Sequence, residues 1–299
     1  MSIPMIRLCP DGPEISRIVQ GFGSIVRKGV NTPAAMADYV RACLDVGINT
    51  FDLAAVYAGG EAERLFGEAL SRQRALRARL CIITKYGIEG GGPGYHCYDT
   101  SYAAIVRSAE RSLARLRTDC VDLFLMHRPD LLLDADEVAR ALTDLHRDGK
   151  IRHVGVSNFL PSQFRLLASR LSLPLLVNEV PYSILNMDCA EDGTLDLCQQ
   201  LRVTPLFYSP LCRGRLTHPP ETQQEIRVRA VLEAIAAEEN ATVDQVALAF
   251  VLRHPSRGAA ILGGARMEWL ESAAAASRMT LTRDAWFRIW TAAKGHEIP

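Results

Sequence analysis

Short apolar runs alternate with longer amphipathic stretches along almost the whole chain. Each run spans only a few residues, as expected of a strand that is buried on both faces. The runs are SRIV (16–19), NTFDL (49–53), LCIIT (80–84), VDLFLM (121–126), HVGV (153–156), LLVN (175–178), TPLF (204–207) and AAIL (259–262). Eight strands alternating with helices predict a single α/β domain over residues 1–299, a (β/α)8 TIM barrel. An open doubly wound sheet is the alternative.

The intervening stretches carry helix signals. Thr32-Pro33 provides an N-cap followed by proline at the first helical position. Apolar residues recur at helical spacing over 101–117 and over 135–148. The first segment, MIRLCPDGPEISRIV, predicts a β-hairpin around the turn 9–12, placed at the bottom of the barrel. Extra helices are expected at the C-terminus.

One connection is unusually long and rich in glycine. It is YGIEGGGPGYHCYDT (86–100), and its composition predicts a loop without regular structure. Because a long loop after a barrel strand is usually functional, we expect it to shape the substrate pocket.

Composition narrows the class of protein. Of the 299 residues 48% are hydrophobic, and 34 Lys and Arg balance 34 Asp and Glu, so neither nucleic acid nor a membrane surface is an expected partner. The N-terminus lacks signal-peptide features and no apolar run approaches a membrane span, which predicts a cytoplasmic protein. The eight cysteines form no CxxC pair, so reduced thiols and no metal site are expected. A monomer is the default.

Polar residues follow every apolar run. In a TIM barrel the carboxyl ends of the strands surround one active-site mouth. The residues at these ends are Asp52, Tyr57, Lys85, His127, Ser157, Asn158, Asn178, Glu179, Tyr208, Ser209, Gly263 and Gly264. Each alone has an ordinary structural explanation, such as a turn cap, a solvated lysine or a core histidine. Jointly they favour one network, because a buried strand gains nothing from ending in an ionisable group.

The chemistry of that network is that of proton transfer to a carbonyl. Tyrosine is a weak acid unless a cation lies nearby. Lys85 can supply the cation that lowers the pKa of Tyr57, and Asp52 can hold Lys85 charged. His127 can orient a carbonyl oxygen. Since none of these groups supplies hydride, a cofactor is required.

The eighth strand end suggests where the phosphates of such a cofactor bind. Gly263-Gly264 precedes an amphipathic stretch, and barrel phosphate sites are often formed there at a helix N-terminus.

Several segments together resemble the aldo-keto reductase superfamily. They are FDLAAVY (51–57), ITKYG (83–87), LFLMHRPD (123–130), GKIRHVGVSNF (149–159) and YSPLCRGRL (208–216). The segments DADEVARAL (134–142) and DGTLDLCQQLRV (192–203), with the ending WFRIWTAAKGHEIP, resemble its bacterial YdhF-like oxidoreductase branch.

The resemblance implies an NADP(H)-dependent oxidoreductase that acts on a small-molecule aldehyde or ketone. Tyr57 would be the proton donor, completed by Asp52, Lys85 and His127. Ser157, Asn158 and Glu179 would contact the nicotinamide carboxamide, and Tyr208 would stack on its ring. The remaining cofactor contacts implied are Gly21 near the ribose, Ser209, Leu211, Gly214, Gly263 and Gly264 near the pyrophosphate, and Arg266 on the 2′-phosphate of NADP.

Two departures from the family pattern concern the cofactor. The family usually has Gln where this chain has Glu179, and an ionised Glu cannot donate to the carboxamide oxygen. Ser272 and Ala273 stand where Glu-Asn usually contacts adenine. The pocket wall is expected from residues 86–100 and from Arg128 onward.

Two other functions fit parts of the pattern. A strand-end lysine could form a Schiff base, which would make the chain an aldolase that uses Lys85. A nucleotide-sensing protein with weak redox activity is the second alternative. The substrate stays open among aldehydes, ketones, quinones and dicarbonyls.

Overall fold

The computed structural model of the protein describes residues 3–10, 12–92, 95–216 and 218–297. The strands are β1 (Met5–Arg7), β2 (Glu14–Ser16), β3 (Ile18–Gly21), β4 (Thr50–Asp52), β5 (Cys81–Tyr86), β6 (Ile88–Gly92), β7 (Tyr95–Tyr98), β8 (Val121–Met126), β9 (Ile151–Ser157), β10 (Leu175–Pro181), β11 (Thr204–Tyr208) and β12 (Ala259–Gly263). The helices are α1 (Pro33–Asp45), α2 (Glu61–Ser71), α3 (Tyr102–Leu116), α4 (Ala135–Arg147), α5 (Pro161–Ala168), α6 (Asp188–Glu191), α7 (Thr194–Leu201), α8 (Gln223–Glu238), α9 (Val243–Leu252), α10 (Met267–Ala276) and α11 (Arg283–Lys294).

Eight of the described strands form a closed barrel. Their order around it is β10-β11-β12-β3-β4-β5-β8-β9, and every neighbouring pair is parallel. The last strand closes on the first, since Ala260 is in register with Ile18. The predicted (β/α)8 barrel is therefore confirmed, and the open sheet is wrong.

The strands are apolar throughout because both of their faces are buried. On β8, Leu123 and Leu125 belong to the cluster inside the barrel, whereas Phe124 and Met126 pack in the layer beneath the helices. This alternation is the period of two of a strand. The barrel interior is closely packed, since a Cβ at Gly155 would lie 2.5 Å from Val177.

Side-chain caps set the starts of the helices. Thr32 accepts a hydrogen bond from the backbone N–H of Ala35, with Pro33 in the first turn of α1. Ser101 caps α3 in the same way, and Asp134 caps α4. These boundaries agree with the predicted helices to within one or two residues.

The N-terminal hairpin closes the bottom of the barrel, as predicted. β1 and β2 pair antiparallel, and the backbone N–H of Gly12 donates to the carbonyl of Cys9 at 3.0 Å. Asp11 of the predicted turn lies outside the described residues. Leu8 and Ile15 pack into the interior cluster, so the hairpin fills the end of the barrel opposite the strands' carboxyl ends.

The expected extra C-terminal helices are present. α10 and α11 follow β12, and α11 packs against α8, where Gln224 and Arg227 donate to the carbonyls of Ala293 and Ala292. Among the described helices, none has both the length and the apolar composition needed to cross a membrane.

The glycine-rich connection is not irregular, and that prediction was wrong. Ile88–Gly92 and Tyr95–Tyr98 form an antiparallel hairpin with a register shift, while Pro93 and Gly94 lie outside the described residues. Gly90, with φ of 110°, adopts a backbone conformation that other residues rarely tolerate. Glycine here permits the register shift between the two strands and does not prevent strand formation.

Candidate active site

The carboxyl ends of the barrel strands open into a cleft of about 1170 Å³. All the predicted catalytic and cofactor residues except Lys85 line it. They are Gly21, Asp52, Tyr57, His127, Ser157, Asn158, Glu179, Tyr208, Ser209, Leu211, Gly214, Gly263, Gly264 and Arg266. The volume exceeds that of ordinary small-molecule pockets, so a dinucleotide and a small substrate can fit together.

Lys85 lies directly beneath the floor of the cleft, where it is 1% exposed. Its ammonium forms an ion pair with Asp52 and donates to the carbonyl of Leu53 at 3.1 Å. It also donates to the Tyr57 hydroxyl at 3.3 Å and lies 3.2 Å from Glu179 Oε2. The buried ammonium of Lys85 thus joins the ends of three strands. These are the adjacent strands β4 and β5, and β10 across the barrel.

Burial and the neighbouring charges act in opposite directions on the pKa values of Lys85 and Tyr57. Burial alone would lower the pKa of Lys85, but Asp52 and Glu179 outweigh it and raise that pKa, so Lys85 stays charged. Burial raises the pKa of Tyr57 above that of free tyrosine. Lys85 opposes this shift, and Asp52 and Glu179 add to it. Lys85 therefore lowers the pKa of Tyr57, as predicted, and burial, which the sequence did not reveal, acts in the opposite direction.

His127 lies edge-on to Tyr57, with ring centroids 5.7 Å apart. Burial, with the positive charges of Lys85 and Arg128, lowers the pKa of His127 to about 3. The imidazole is thus neutral at physiological pH. A neutral imidazole can donate one hydrogen bond to an oxygen held in the cleft.

A hydrogen-bond network holds the ends of β8, β9 and β11 together. The Asn158 amide donates to Ser157 Oγ at 2.8 Å and to the carbonyl of His127 at 3.3 Å, and the Tyr208 hydroxyl donates to Asn158 Oδ1 at 2.8 Å. Asn158 has φ of 64°, a left-handed conformation that Asn tolerates better than most residues. The network fixes polar groups along one wall of the cleft.

The segment after β11 turns sharply over the cleft. Ser209 and Arg213 have φ of 54° and 57°, and the backbone N–H of Gly214 donates to the carbonyl of Leu211 at 2.9 Å. Three of the predicted pyrophosphate contacts, Ser209, Leu211 and Gly214, line the cleft from this turn.

The other end of the cleft is formed by the segment between β12 and α10. Arg266 is the N-cap residue of α10, and its guanidinium carbon lies 5.3 Å from the centre of the Trp269 ring. Lys28 lies 5.7 Å from the same ring and donates to the carbonyl of Gly263 at 3.1 Å. Two cations therefore stand beside the predicted 2′-phosphate position.

Sequence reasoning missed several residues of this end. Gln20 and Tyr39 both contact the carbonyl oxygen of Gly264, at 3.1 and 2.9 Å. Gln20 could have been found as a polar residue at the end of the first barrel strand. Tyr39 and Trp269 lie on helices and Lys28 ends a short 3-10 helix, Val26–Lys28, and no local pattern marks these residues.

Both departures from the family pattern lie in the cleft, since Glu179, Ser272 and Ala273 all line it. Ser272 Oγ donates to Asp244 at 2.6 Å. Arg128 lines the cleft as expected, but no described residue of 86–100 does. The hairpin is instead drawn toward α3, where Glu89 pairs with Arg111 at 2.6 Å.

The shape of the cleft fits a nicotinamide dinucleotide. Gly21 and Gly264 both line the cleft, and a Cβ would lie 2.7 Å from Ile261 at the first and 2.6 Å from Trp269 at the second, so the wall carries no side chain at either position. Glu179 Oε2 is buried without a hydrogen bond of good geometry, which leaves a polar atom at the floor. Among the described residues, no group of three or more His, Cys, Asp or Glu side chains could hold a metal ion.

Comparison with known proteins identifies the family. The model of the aldo/keto reductase family matches residues 17–293. The chain is 42% identical to the oxidoreductase YdhF of Escherichia coli over 99% of its length and 100% of the relative's. It is 39% identical to a 6-dehydroglucose reductase of Agrobacterium fabrum, with 96% and 97% of the two chains covered. A solved aldo/keto reductase from Klebsiella pneumoniae, in complex with NADP and acetate, superposes with a TM-score of 0.74 at 26% identity, covering 92% of this chain and 90% of that one.

The chain belongs to the aldo/keto reductase family and is an oxidoreductase enzyme that uses a nicotinamide cofactor.

Proposed function

We propose that this enzyme reduces an aldehyde or ketone with NADPH and that Tyr57 donates the proton to the carbonyl oxygen. The observation that carries the proposal is the Tyr57 hydroxyl 3.3 Å from the buried ammonium of Lys85, at the floor of a cleft large enough for a dinucleotide. NADPH, when bound, supplies the hydride.

The charges at the floor suit proton donation by Tyr57. The phenol is protonated at physiological pH, and Lys85, which lowers its pKa against the effect of burial, makes it a better proton donor than burial alone would leave it. Because Lys85 donates to the phenol oxygen, the Tyr57 proton is available for the substrate. Once the proton has left, the Lys85 ammonium stabilises the tyrosinate. Neutral His127 holds the carbonyl oxygen by a second hydrogen bond.

NADPH rather than NADH is supported by the cations at the far end of the cleft. Arg266 and Lys28 both stand where the start of α10 adds partial positive charge. A phosphate dianion is best recognised there by the planar guanidinium of Arg266.

A Schiff-base aldolase is disfavoured by the state of Lys85. An amine nucleophile must be neutral and accessible, whereas this lysine is buried and is held charged by its ion pair with Asp52. A cofactor-sensing protein would instead bind NADPH and reduce none of a panel of aldehydes and ketones. That panel should include 6-dehydroglucose, since a relative is named for it.

Replacing Tyr57 with Phe tests the proposal. Tyr57→Phe should retain cofactor affinity, measured by fluorescence titration, and lose at least about 10²-fold in kcat, the usual worth of a general acid. The matched control is Tyr95→Phe, which removes the same hydroxyl from a side chain that is 65% exposed on the β6–β7 hairpin. A Tyr57→Phe enzyme that turns over like the wild type would refute the assignment.

A further inference from the structure

Glu179 is a buried carboxylate that proton donation by Tyr57 does not require. It is 4% exposed on β10, and its Oε2 lies 3.2 Å from Lys85 without hydrogen-bond geometry. Its backbone carbonyl accepts from Ser157 Oγ at 3.0 Å and from the Asn158 N–H at 2.7 Å. Glu179 lines the same cleft as Ser157 and Asn158, the residues expected to contact the nicotinamide.

Two acidic side chains share one basic side chain at the floor of the cleft. Asp52 from β4 and Glu179 from β10 share the single ammonium of Lys85 from β5. The other groups that act on these charges are Tyr57, Tyr208, Arg128 and His127. Burial and the Asp52 charge raise the pKa of Glu179 to about 8, and Lys85 and Arg128 only partly oppose them. Free Glu179 thus carries its proton over much of the physiological range.

We propose that Glu179 is an ionisable partner of the nicotinamide ring, ionised beside the oxidised cofactor and protonated beside the reduced one. This inference rests on the proposed use of NADPH. The oxidised ring carries a positive charge and the reduced ring is neutral. In a site of low dielectric, an adjacent carboxylate stabilises the first and gains nothing from the second. Glu179 therefore favours the cofactor state that exists after hydride has left.

The sign of the pH dependence follows from proton release. Below about pH 8 free Glu179 is protonated, and binding of NADP⁺ drives its proton into the solvent. Affinity for NADP⁺ should accordingly increase as the pH rises toward 8 and level off above it. Affinity for NADPH should not increase, because the neutral ring leaves the proton on Glu179.

Titrations of NADP⁺ and NADPH from about pH 6.5 to about pH 9 test the proposal. The ratio of the two affinities isolates the ring, since both molecules carry the same phosphates. We expect the preference for NADP⁺ to rise roughly tenfold across this range in the wild type. Calorimetry near pH 7 in two buffers of different ionisation enthalpy should find more protons released with NADP⁺ than with NADPH.

Glu179→Gln is the matched variant, because it keeps the shape of the side chain and removes the titrating group. In Glu179→Gln the affinity ratio should not change with pH. A flat ratio in the wild type, or the same rise in the variant, overturns the role of Glu179 while leaving NADPH use intact. Failure of either cofactor to bind would instead overturn the proposed function. If the variant does not fold, the proton count of the wild type decides.

Discussion

Lys85 has more acceptors around it than it has protons. An ammonium has three N–H groups, and the side chain faces Asp52, the carbonyl of Leu53, the Tyr57 hydroxyl and Glu179. One acceptor must be left without a hydrogen bond, and in this structure it is Glu179 Oε2. The unsatisfied oxygen is thus a consequence of one lysine serving two carboxylates and a phenol.

Arg266 is the residue that we expect to distinguish NADPH from NADH. Arg266→Ala should weaken NADPH binding by about 10- to 150-fold, the equivalent of the roughly 1.5–3 kcal/mol of a charge-assisted hydrogen bond. NADH, which lacks the 2′-phosphate, should bind almost as before. Fluorescence titration of both cofactors measures the difference.

A second arginine provides the control for Arg266. The guanidinium of Arg283 on α11 lies 5.5 Å from the Phe287 ring, a similar cation–π contact away from the cleft. Arg283→Ala should change neither affinity. Equal losses of NADPH and NADH affinity in Arg266→Ala would show that Arg266 does not recognise the 2′-phosphate.

Close packing between helices limits what can change outside the cleft. A Cβ at Gly67 on α2 would lie 2.2 Å from the carbonyl oxygen of Arg115 and 2.5 Å from the carbonyl carbon of Leu116, both on α3. Because these atoms belong to the backbone, α3 would have to move as a unit. Gly67 thus sets the distance between the two helices.

Gly67→Ala should therefore lower the free energy of unfolding. Overpacking costs about 1–3 kcal/mol, and this outweighs the ~1 kcal/mol that alanine gains in helix propensity. Urea denaturation measures the loss. Gly263→Ala is the control, since its Cβ would meet nothing closer than Ser24 Oγ at 3.9 Å, and its stability should stay within about 0.5 kcal/mol of wild type. An unchanged Gly67→Ala protein would mean that α2 and α3 can separate freely.

Elements with a clear hydrophobic period could be predicted from the sequence, and the others could not. All eight barrel strands and the capped helices α1, α3 and α4 correspond to apolar runs and cap residues. The β6–β7 hairpin was missed because glycine gives no side-chain period to detect. Pairing there depends on backbone conformation, which composition does not report.

Some residues of the candidate site could likewise be predicted from the sequence, and others could not. Strand-end position was enough to bring Asp52, Tyr57, Lys85 and His127 to one region of the cleft. The contacts of Tyr39 with Gly264 join residues 225 apart in the chain, and no local spacing indicates them. The effect of Lys85 on the pKa of Tyr57 could be predicted from the two residues, whereas the opposing rise depends on burial and on Glu179, which are properties of the folded chain.

Stability of the whole molecule should depend on pH through His127. Its pKa is lowered to about 3 in the folded state, against about 6.5 in the unfolded chain, so the unfolded state binds the extra proton. This contribution is fully present above pH 6.5 and is lost as the pH falls from there toward 3. Between pH 7 and pH 5 it amounts to about 2 kcal/mol of unfolding free energy.

Urea denaturation at the two pH values measures that loss. His127→Asn should reduce the difference between pH 7 and pH 5 by about this amount. His296→Asn, which alters an exposed histidine, should leave the difference as in the wild type. The same pH dependence in both variants would place its origin elsewhere.

The hairpin of β1 and β2 also affects the order of events during turnover. Leu8 and Ile15 fill the barrel from below, so among the described residues the cleft opens only at the strands' carboxyl ends. Reactants and products must therefore exchange through one opening. Where one ligand covers the other, the covered ligand must bind first and leave last, so we expect ordered sequential kinetics, which initial-rate and product-inhibition measurements would detect.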